Sequence, residues 1–302
     1  MIRVGIARPQ HFYGPEVFAL VEHFTDDPDV RYVLVDEPAD VDDPQFDLAH
    51  VMMGIEPRWR RHRTPRLHDY ASLSTPPHAH VKDLAKRFGQ SPPLLRSFLN
   101  PYVRDHMKFG DSRPYVFRDM GVPDYFYSPA TVPEKQYDIG YAGSLTASRG
   151  LMGPLQALAG AGFRLLLVGE PEPELRQLLQ RHTNVTFTGR MAQPEVADAL
   201  RSCAYGLNYV ADVEPYNRQT STKVLEYSAL GLGIISNDYA WVRQFQAEHD
   251  AVFALLDPRS PLTPESLAGL SLRNADAELF RWSLVLRESG LRERIQEVLR
   301  EP

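Results

Sequence analysis

Cysteine is almost absent from this chain, because Cys203 is the only one among its 302 residues. A single cysteine excludes a disulfide within the chain and is typical of proteins from a reducing compartment. The sequence also lacks the Cys/His spacing of zinc sites, the phosphate loop of the P-loop proteins and a Gly-x-Gly-x-x-Gly turn. These absences exclude the most easily recognised metal and nucleotide motifs.

Basic charge and long apolar runs are also missing. The net charge of −6 argues against a general nucleic-acid binder, which is usually basic. No run approaches the roughly 18 apolar residues of a membrane span, and residues 1–7 lack the apolar core of a secretory signal. We therefore expect a cytoplasmic protein, with peripheral contact to the inner face of a membrane as an open alternative.

Short apolar strands alternate with helices in the first part of the chain. Residues 2–7, 31–36 and 47–54 are predicted strands, and residues 14–24 are a predicted helix. The pattern from 56 to 118 is less regular because prolines interrupt it; we predict only a helix at 80–88 and a strand at 114–117. This order is typical of a parallel sheet with helices on its faces.

A second alternating series follows a turn-rich segment at 123–135, which we interpret as an interdomain linker. We predict strands at 138–142, 163–169, 185–188 and 205–210, helices at 151–161, 173–181 and 194–201, and a helical tail from 276 to 299. The predicted domains are residues 1–132 and 133–275, with 276–302 packing back on the first. The fold class is α/β, with two Rossmann-like, doubly wound domains facing a central cleft.

The segment from Ser221 to Asp238 has the pattern of a capped helix, a glycine turn and a buried strand. Ser221 or Thr222 is expected to cap the helix by accepting a bond from a free backbone N–H. Lys223 and Glu226 lie three positions apart and share one helical face. A helix N-terminus beside a lysine can bind a diphosphate, and the glutamate can accept hydrogen bonds from sugar hydroxyls. A solvated Lys–Glu pair is the structural alternative.

Several strand ends carry glycines, which the topology of a doubly wound sheet brings to one edge. Ligands of such sheets bind at the carboxyl ends of the strands. The segments expected there are Gly143-Ser144, Gly169-Glu170, Gly189-Arg190 and the loop 209–218.

Four segments, in this order, resemble the C-terminal half of GT-B glycosyltransferases, in particular the bacterial group that includes glycosyltransferase family 4. They are residues 139–145, 166–169, 184–190 and 223–231. Residues 1–132 show only a generic αβ pattern, as the acceptor domains of that family do. The resemblance implies a GT-B fold and a nucleoside diphosphate sugar as the donor substrate, with no cofactor and no bound metal.

The resemblance also implies roles for individual residues of the second domain. Gly143 and Ser144 look like the turn that brings backbone N–H groups to the diphosphate. Arg149 and Lys223 look like the basic residues that neutralise the leaving group. Glu226 is similar to the family's ribose-binding glutamate. The donor-binding set is completed by the strand-end and helix-start residues Gly169, Arg190, Arg218 and Thr222.

Arg218 departs from the family's pattern. Many family 4 members have a first glutamate at this position, eight residues before Glu226, where it contacts the donor sugar. The arginine leaves the sugar and the stereochemical outcome open. It is expected either to hold a phosphate or a sugar carboxylate, or to lie in a solvated loop.

Three residues of the first domain are candidates for the general base that activates an acceptor hydroxyl. His68 or Asp69 is a candidate general base for an acceptor hydroxyl, and a buried structural hydrogen bond is the alternative. His11 follows the first strand and is a rival because that loop would face the cleft.

A basic stretch from Arg58 to Arg66, with Trp59 inside it, stands out in an acidic chain. Such a cluster can hold anionic lipid headgroups or a lipid diphosphate, and a solvated charged loop is the alternative.

These observations predict a metal-independent hexosyltransferase that moves a sugar from a nucleoside diphosphate sugar to a hydroxyl of a bacterial glycan or lipid-linked acceptor. No nucleic acid is expected as a partner. Three alternatives stay open, namely a nucleotide-sugar epimerase, a GT-B-like protein that binds a nucleotide sugar without turnover, and a bilobed small-molecule binding protein.

Overall fold

The computed structural model describes residues 1–8, 14–52, 56, 61–75, 77–127 and 134–300. The chain divides into two compact units, one formed by Met1–Pro123 with Phe280–Pro302 and the other by Asp124–Leu279. Each unit contains a six-stranded sheet whose strands all pair in parallel. Among the described helices, none combines the length and the apolarity that a bilayer crossing requires.

The N-terminal unit carries strands β1 to β6 in the order β2-β1-β3-β4-β5-β6. The strands are β1 (Ile2–Ala7), β2 (Val30–Val35), β3 (Leu48–Met52), β4 (Arg66–Tyr70), β5 (Leu95–Phe98) and β6 (Tyr115–Phe117). The helices of this unit before the last strand are α1 (Pro15–His23), α2 (Ala79–Gly89) and α3 (Pro101–Met107). Strands β4 and β5 and helix α3 lie in the stretch whose sequence pattern is irregular.

The C-terminal unit carries strands β7 to β12 in the order β12-β11-β10-β7-β8-β9. The strands are β7 (Tyr137–Ala142), β8 (Leu165–Val168), β9 (Val185–Gly189), β10 (Cys203–Asn208), β11 (Gly233–Asn237) and β12 (Ala254–Leu256). Its helices are α4 (Met152–Gly160), α5 (Pro173–Leu179), α6 (Gln193–Arg201), α7 (Thr222–Ala229), α8 (Ala240–Glu248) and α9 (Pro264–Ala268). The two doubly wound α/β sheets confirm the predicted fold class.

The tail forms two helices, α10 (Trp282–Glu288) and α11 (Leu291–Arg300). Gly290 adopts a φ of +65°, which interrupts the helix that the sequence pattern predicts as continuous. Both helices belong to the N-terminal unit, because Trp282, Leu286 and Ile295 are buried in its core with strands β1 to β5.

The order of the second sheet decides where a ligand site forms. Strands β7 and β10 are neighbours at its centre, but the chain leaves β7 toward β8 on one side and β10 toward β11 on the other. The loops after these two strands therefore diverge and leave a crevice at their carboxyl ends, which is the position where open α/β sheets bind ligands.

Candidate nucleotide-sugar site

Three glycines form a bare ridge of backbone at the carboxyl ends of β7, β8 and β9. Gly143, Gly169 and Gly189 all have positive φ, at +140°, +139° and +74°. The N–H of Gly143 donates to the Val168 carbonyl and the N–H of Gly169 donates to the Gly189 carbonyl, both at 3.0 Å. A Cβ on Gly169 would lie 2.4 Å from the Gly143 oxygen, so no side chain fits there. The ridge lets a ligand approach the backbone itself.

The N-terminus of α7 lies at the same edge of the sheet. Ser221 is the N-cap residue, but its side chain accepts no bond from the first turn, so the predicted side-chain cap is wrong. The Ser221 hydroxyl donates instead to Oδ1 of Asn208 at 2.8 Å. Within the described ranges, the backbone N–H groups of Thr222 and Lys223 have no acceptor. They leave the positive end of the helix available to an anion.

A buried polar cluster fixes this N-terminus. Asn208 at the end of β10 is completely buried, and its amide donates to the Ser236 hydroxyl at 2.9 Å and to the Tyr239 hydroxyl at 3.1 Å. Asn237 clamps the following loop by bonding both the N–H and the carbonyl of Val210, at 2.9 Å and 2.7 Å. Because buried polar groups are costly unless satisfied, this network ties the start of α7 to strands β10 and β11.

The Lys223 ammonium lies directly beside the glycine ridge. A Cβ built on Gly143 would lie 3.3 Å from Nζ and from Cε of Lys223. The ammonium is 5.3 Å from the centre of the Tyr141 ring, and no carboxylate in the described part of the chain pairs with it. The tertiary structure thus joins two predicted donor-binding residues, more than 70 positions apart in sequence, in one positively charged site.

Glu226 follows one turn later on the same helix and is half-buried. Burial raises the pKa of its carboxyl group from 4.5 to about 7, although the nearby Lys223 lowers it. No described residue hydrogen-bonds the carboxyl group, which leaves it available to hydroxyl groups of a ligand.

Three arginines at this edge are exposed and lack an ion pair among the described residues. Arg149 ends a single 3₁₀ turn, Ala147–Arg149, Arg190 follows β9, and Arg218 ends a second turn, Tyr216–Arg218. Other arginines of this unit do pair, for example Arg164 with Asp138 at 2.7 Å. Ser144 is exposed on the same loop as Arg149, and its carbonyl accepts a 3.3 Å bond from Tyr141. Arg149, Arg190, Arg218 and Ser144 thus lie in loops at the same edge of the sheet. Direct proximity is seen only among Gly143, Gly169, Lys223 and Glu226.

A cavity of about 880 Å³ opens beside this edge of the same unit. Its walls come from the start of α4, the ends of β11 and β12, and Tyr209. The Tyr209 ring also borders Gly150, whose Cβ would lie 3.4 Å from it, so the cavity adjoins the loop of Arg149. Tyr209 begins the loop 209–218 that the sequence predicts at this edge, whereas Asn237 was not a candidate from sequence.

The structure separates the two residues that the sequence proposes as acceptor bases. Asp69 and His68 are successive residues of β4, so their side chains point to opposite faces of the sheet. Asp69 is fully buried; its oxygens accept from Nε and a terminal nitrogen of Arg118 at 3.0 and 3.1 Å, and His50 lies 3.1 Å away. The Arg118 charge and the His50 hydrogen bond hold the pKa of Asp69 below its usual range against the effect of burial. This geometry supports the structural alternative for Asp69.

His68 belongs to a second buried cluster. Its Nε2 lies 3.1 Å from Oε2 of Glu56 and its Nδ1 3.3 Å from the Tyr70 hydroxyl. Burial lowers the pKa of His68, and the Glu56 carboxylate opposes this effect. Both ring nitrogens are therefore engaged within the protein.

Glu16 and Arg118 are buried functional groups that the sequence pattern did not reveal. Glu16 lies at the start of α1. Burial raises the pKa of its carboxyl group, and the positive charge of Arg118 partly offsets this effect. One carboxyl oxygen of Glu16 and one terminal nitrogen of Arg118 are buried and have no hydrogen-bond partner among the described residues. Neither residue belongs to a recognisable motif, so the sequence offered no reason to single it out. Their burial and proximity become evident only in the folded protein.

The remaining candidates of this unit fall partly outside the described residues. His11, Trp59 and Arg58 lie outside them. Of the basic stretch, Arg61 and Arg63 are exposed, but Arg66 is buried and contacts Asp42 at 3.1 Å and Glu56 at 3.2 Å. Arg66 is therefore not available to a lipid headgroup. Within the described ranges, no three His, Cys, Asp or Glu side chains form a metal-ligand set.

Comparison with known proteins finds a family match within the C-terminal unit. Residues 136–267 match the family described as Glycosyl transferases group 1. No curated protein sequence matches the chain.

Solved structures with the same fold cover nearly the whole chain. AviGT4, a glycosyltransferase involved in avilamycin A biosynthesis, is 17% identical with a TM-score of 0.67, covering 99% of this chain and 98% of that one. Sucrose-phosphate synthase from Thermosynechococcus elongatus is 15% identical with a TM-score of 0.60, covering 99% and 95%. The Anabaena protein HepE, in complex with UDP and glucose, is 13% identical with a TM-score of 0.62, covering 100% and 98%.

Because these sequence identities are low, the structural similarity establishes the fold alone. The family match is confined to the unit that holds the glycine ridge, Lys223 and Glu226. Residues 136–267 are therefore similar to the group 1 glycosyl transferases, and the chain as a whole has the GT-B fold.

Proposed function

We propose that this protein is a glycosyltransferase that takes its sugar from a nucleoside diphosphate sugar. The observation that carries the proposal is that the Lys223 ammonium lies beside Gly143 of the glycine ridge, at the uncapped N-terminus of α7. A pyrophosphate there would meet a fixed positive charge, a helix dipole and unpaired N–H groups. Such donors, oriented before reaction, stabilise the charge that develops on a departing diphosphate.

The other donor-binding residues take roles that suit their positions. Glu226 accepts hydrogen bonds from the ribose hydroxyls, and Arg149 adds positive charge at the diphosphate without a metal. Gly169 gives the ligand access to the backbone, and Arg190 lies where the base would bind. Arg218 contacts a phosphate or a carboxylate of the donor. UDP is the first nucleotide to test, because the structurally similar HepE is known in complex with UDP and with UDP-glucose.

The acceptor in this proposal is a hydroxyl group of a glycan or a lipid-linked sugar. The N-terminal sheet has its own point of strand reversal between β1 and β3, where the order changes direction. An acceptor bound at the carboxyl ends of these strands would lie near Glu16, whose buried carboxyl group has one oxygen that no described residue hydrogen-bonds. Asp69 and Arg118 would then support this end of the sheet as a buried ion pair.

Calorimetry with UDP and with UDP-glucose tests the site directly. Lys223→Ala removes a charge-assisted contact, and we expect affinity to fall by about tenfold to a hundredfold, since such hydrogen bonds contribute about 1.5–3 kcal/mol. Arg181→Ala is the matched control, because Arg181 is another exposed cation of the same unit without an ion pair among the described residues. Equal affinity for the wild type and Lys223→Ala across uridine, guanosine, adenosine and thymidine diphosphates would remove the assignment.

One observation favours a second candidate, a protein that binds the nucleotide sugar without turnover. Arg218 stands where the resemblance leads one to expect a glutamate that contacts the donor sugar. The two functions differ in product formation. Release of UDP from UDP-glucose with any member of an acceptor panel supports transfer, whereas tight donor binding without release or hydrolysis supports the binding protein.

A further inference from the structure

Helix α2 (Ala79–Gly89) turns its charged side toward the interior of the N-terminal unit. Val81, Leu84 and Phe88 lie on one face of the helix and are exposed, whereas Lys86 is only 6% exposed. An ordinary surface helix buries its apolar face and keeps its lysines in water. The burial of Lys86 is therefore costly unless something balances its charge.

A small pocket lies between the last turn of α2 and the strands β4 and β5. Its volume is about 30 Å³, and cations line it from two sides, Lys86 and Arg87 from the helix and Arg96 from β5. Arg96 is only 5% exposed. The pocket thus collects three basic side chains in a space that is largely closed to water.

Two of these three cations have no anion. Asp111 is the one carboxylate among the described residues that line the pocket, and Arg96 binds both of its oxygens. Lys86 and Arg87 make no hydrogen bond or ion pair with any described residue. Nε of Arg87 and Nε of Arg96 are also buried without a partner among the described residues. The pocket therefore has an excess of two positive charges and several unused donors.

Nearby acidic groups do not balance this excess. Asp83 lies one turn before Lys86, but its carboxylate accepts a 3.0 Å hydrogen bond from the Ser74 N–H. Burial lowers the pKa of Lys86, and Asp83 opposes this effect without reaching the ammonium. Glu56 is engaged by His68 at 3.1 Å. The carbonyls at the C-terminal end of α2 could also accept from a lysine, but no described carbonyl accepts from Lys86.

We propose that this pocket binds one small inorganic anion of halide size, such as chloride, between the cations of Lys86, Arg87 and Arg96. A water molecule takes about 30 Å³ of the liquid, so the pocket has room for one ion of that size and not for a phosphate ester or a carboxylic acid. Charge-assisted hydrogen bonds to the ion would satisfy the buried donors and cancel unpaired charge at the same time.

The ion would link the last turn of α2 to β5, because its ligands come from both elements. It should therefore stabilise the folded protein, since a ligand that binds only the folded state shifts the unfolding equilibrium. The inference does not depend on sugar transfer, because every residue in it belongs to the N-terminal unit.

Thermal unfolding of the full chain tests the site. Sodium chloride replaces sodium gluconate stepwise at constant ionic strength, which keeps general screening unchanged, and gluconate is too large for the pocket. We expect the melting temperature of the wild type to rise by about 2–4 °C and then to level off as the site saturates. Sodium bromide should produce the same saturable rise.

Lys86→Met should lose the shift that chloride produces. In gluconate it should melt at or above the temperature of the wild type, because it removes a buried charge that lacks a partner. Lys82→Met is the matched control, since Lys82 is an exposed cation of the same helix and does not line the pocket. The control should keep the full shift. Arg87→Met is a second test variant, which should lose at least half of the shift.

A crystal grown in bromide provides an independent readout, because the anomalous signal of bromide should appear between Lys86 and Arg96. Four results would overturn the proposal. The melting temperature of the wild type could be indifferent to chloride, or Lys86→Met could keep the full shift. The bromide signal could be absent from the pocket. Sulfate could also produce a shift that Lys86→Met abolishes, in which case the site takes an oxyanion and the size argument fails.

Discussion

The Ser221 hydroxyl donates a 2.8 Å hydrogen bond to Oδ1 of Asn208 and leaves the first turn of α7 uncapped. A serine at this position usually accepts a bond from the helix N–H groups and so competes with any ligand. Here the hydroxyl is turned toward the end of β10. The same contact therefore positions the helix and keeps its N–H groups available.

Ser221→Ala should destabilise the protein by about 1–3 kcal/mol, because it leaves the buried Asn208 oxygen without a donor. Urea unfolding measures the change. Ser228→Ala is the matched control, since the Ser228 hydroxyl bonds only back to the Val224 carbonyl of its own helix, at 2.9 Å. The control should stay within about 0.5 kcal/mol of the wild type, because such back-bonding adds little to helix stability. Equal losses in both variants would contradict the role of Asn208.

Gly169→Ala should destabilise the C-terminal unit by at least about 2 kcal/mol and weaken UDP binding. The new Cβ would lie 2.4 Å from the Gly143 oxygen at a φ of +139°, and a strained backbone position alone costs about 1–3 kcal/mol. Gly160→Ala in α4 is the control, because no described atom beyond its chain neighbours and its own helix backbone lies within 4 Å of the added Cβ. We expect the control to gain about 0.4–1 kcal/mol. Wild-type stability of Gly169→Ala would show that the glycine ridge is not closely packed.

Glu226 should make stability depend on pH. Its folded pKa of about 7 lies above the unfolded value of 4.5, so the folded protein binds the proton more tightly. This contribution is fully present below pH 4.5 and is lost as the pH rises through about 7, with a total of up to about 3 kcal/mol. Urea unfolding of the wild type and of Glu226→Gln, repeated at several pH values between 4.5 and 7, measures this contribution to the free energy of unfolding. A difference between the two that does not change with pH would contradict the raised pKa.

Asp69→Ala should cost about 3–5 kcal/mol of stability, because it leaves the fully buried Arg118 without its partner. Asp238→Ala is the control, since the Asp238–Arg243 pair is exposed and such pairs contribute about 0–1 kcal/mol. UDP affinity of folded Asp69→Ala should equal that of the wild type. If stability were unchanged and sugar transfer alone were lost, Asp69 would instead be the base that the sequence suggested.

Local sequence pattern predicted most of the C-terminal unit. Apolar strands that end in glycine are recognisable because burial on both faces produces short continuous runs and positive φ favours glycine. Strand β4 was missed for the opposite reason. All of its residues are buried, yet Arg66, His68 and Asp69 interrupt the apolar run, and their partners come from distant parts of the chain.

The two αβ series, the glycines at the strand ends and the position of Lys223 and Glu226 on one helical face could all be predicted from the sequence, because each follows from spacings of a few residues. Three features could not be predicted in this way: Lys223 lies beside Gly143, the Ser221 hydroxyl turns to Asn208, and α2 exposes its apolar side. These features depend on strand order and on contacts between residues far apart in the chain. Periodicity reports which side of a helix is apolar, but it does not report which side the rest of the protein covers.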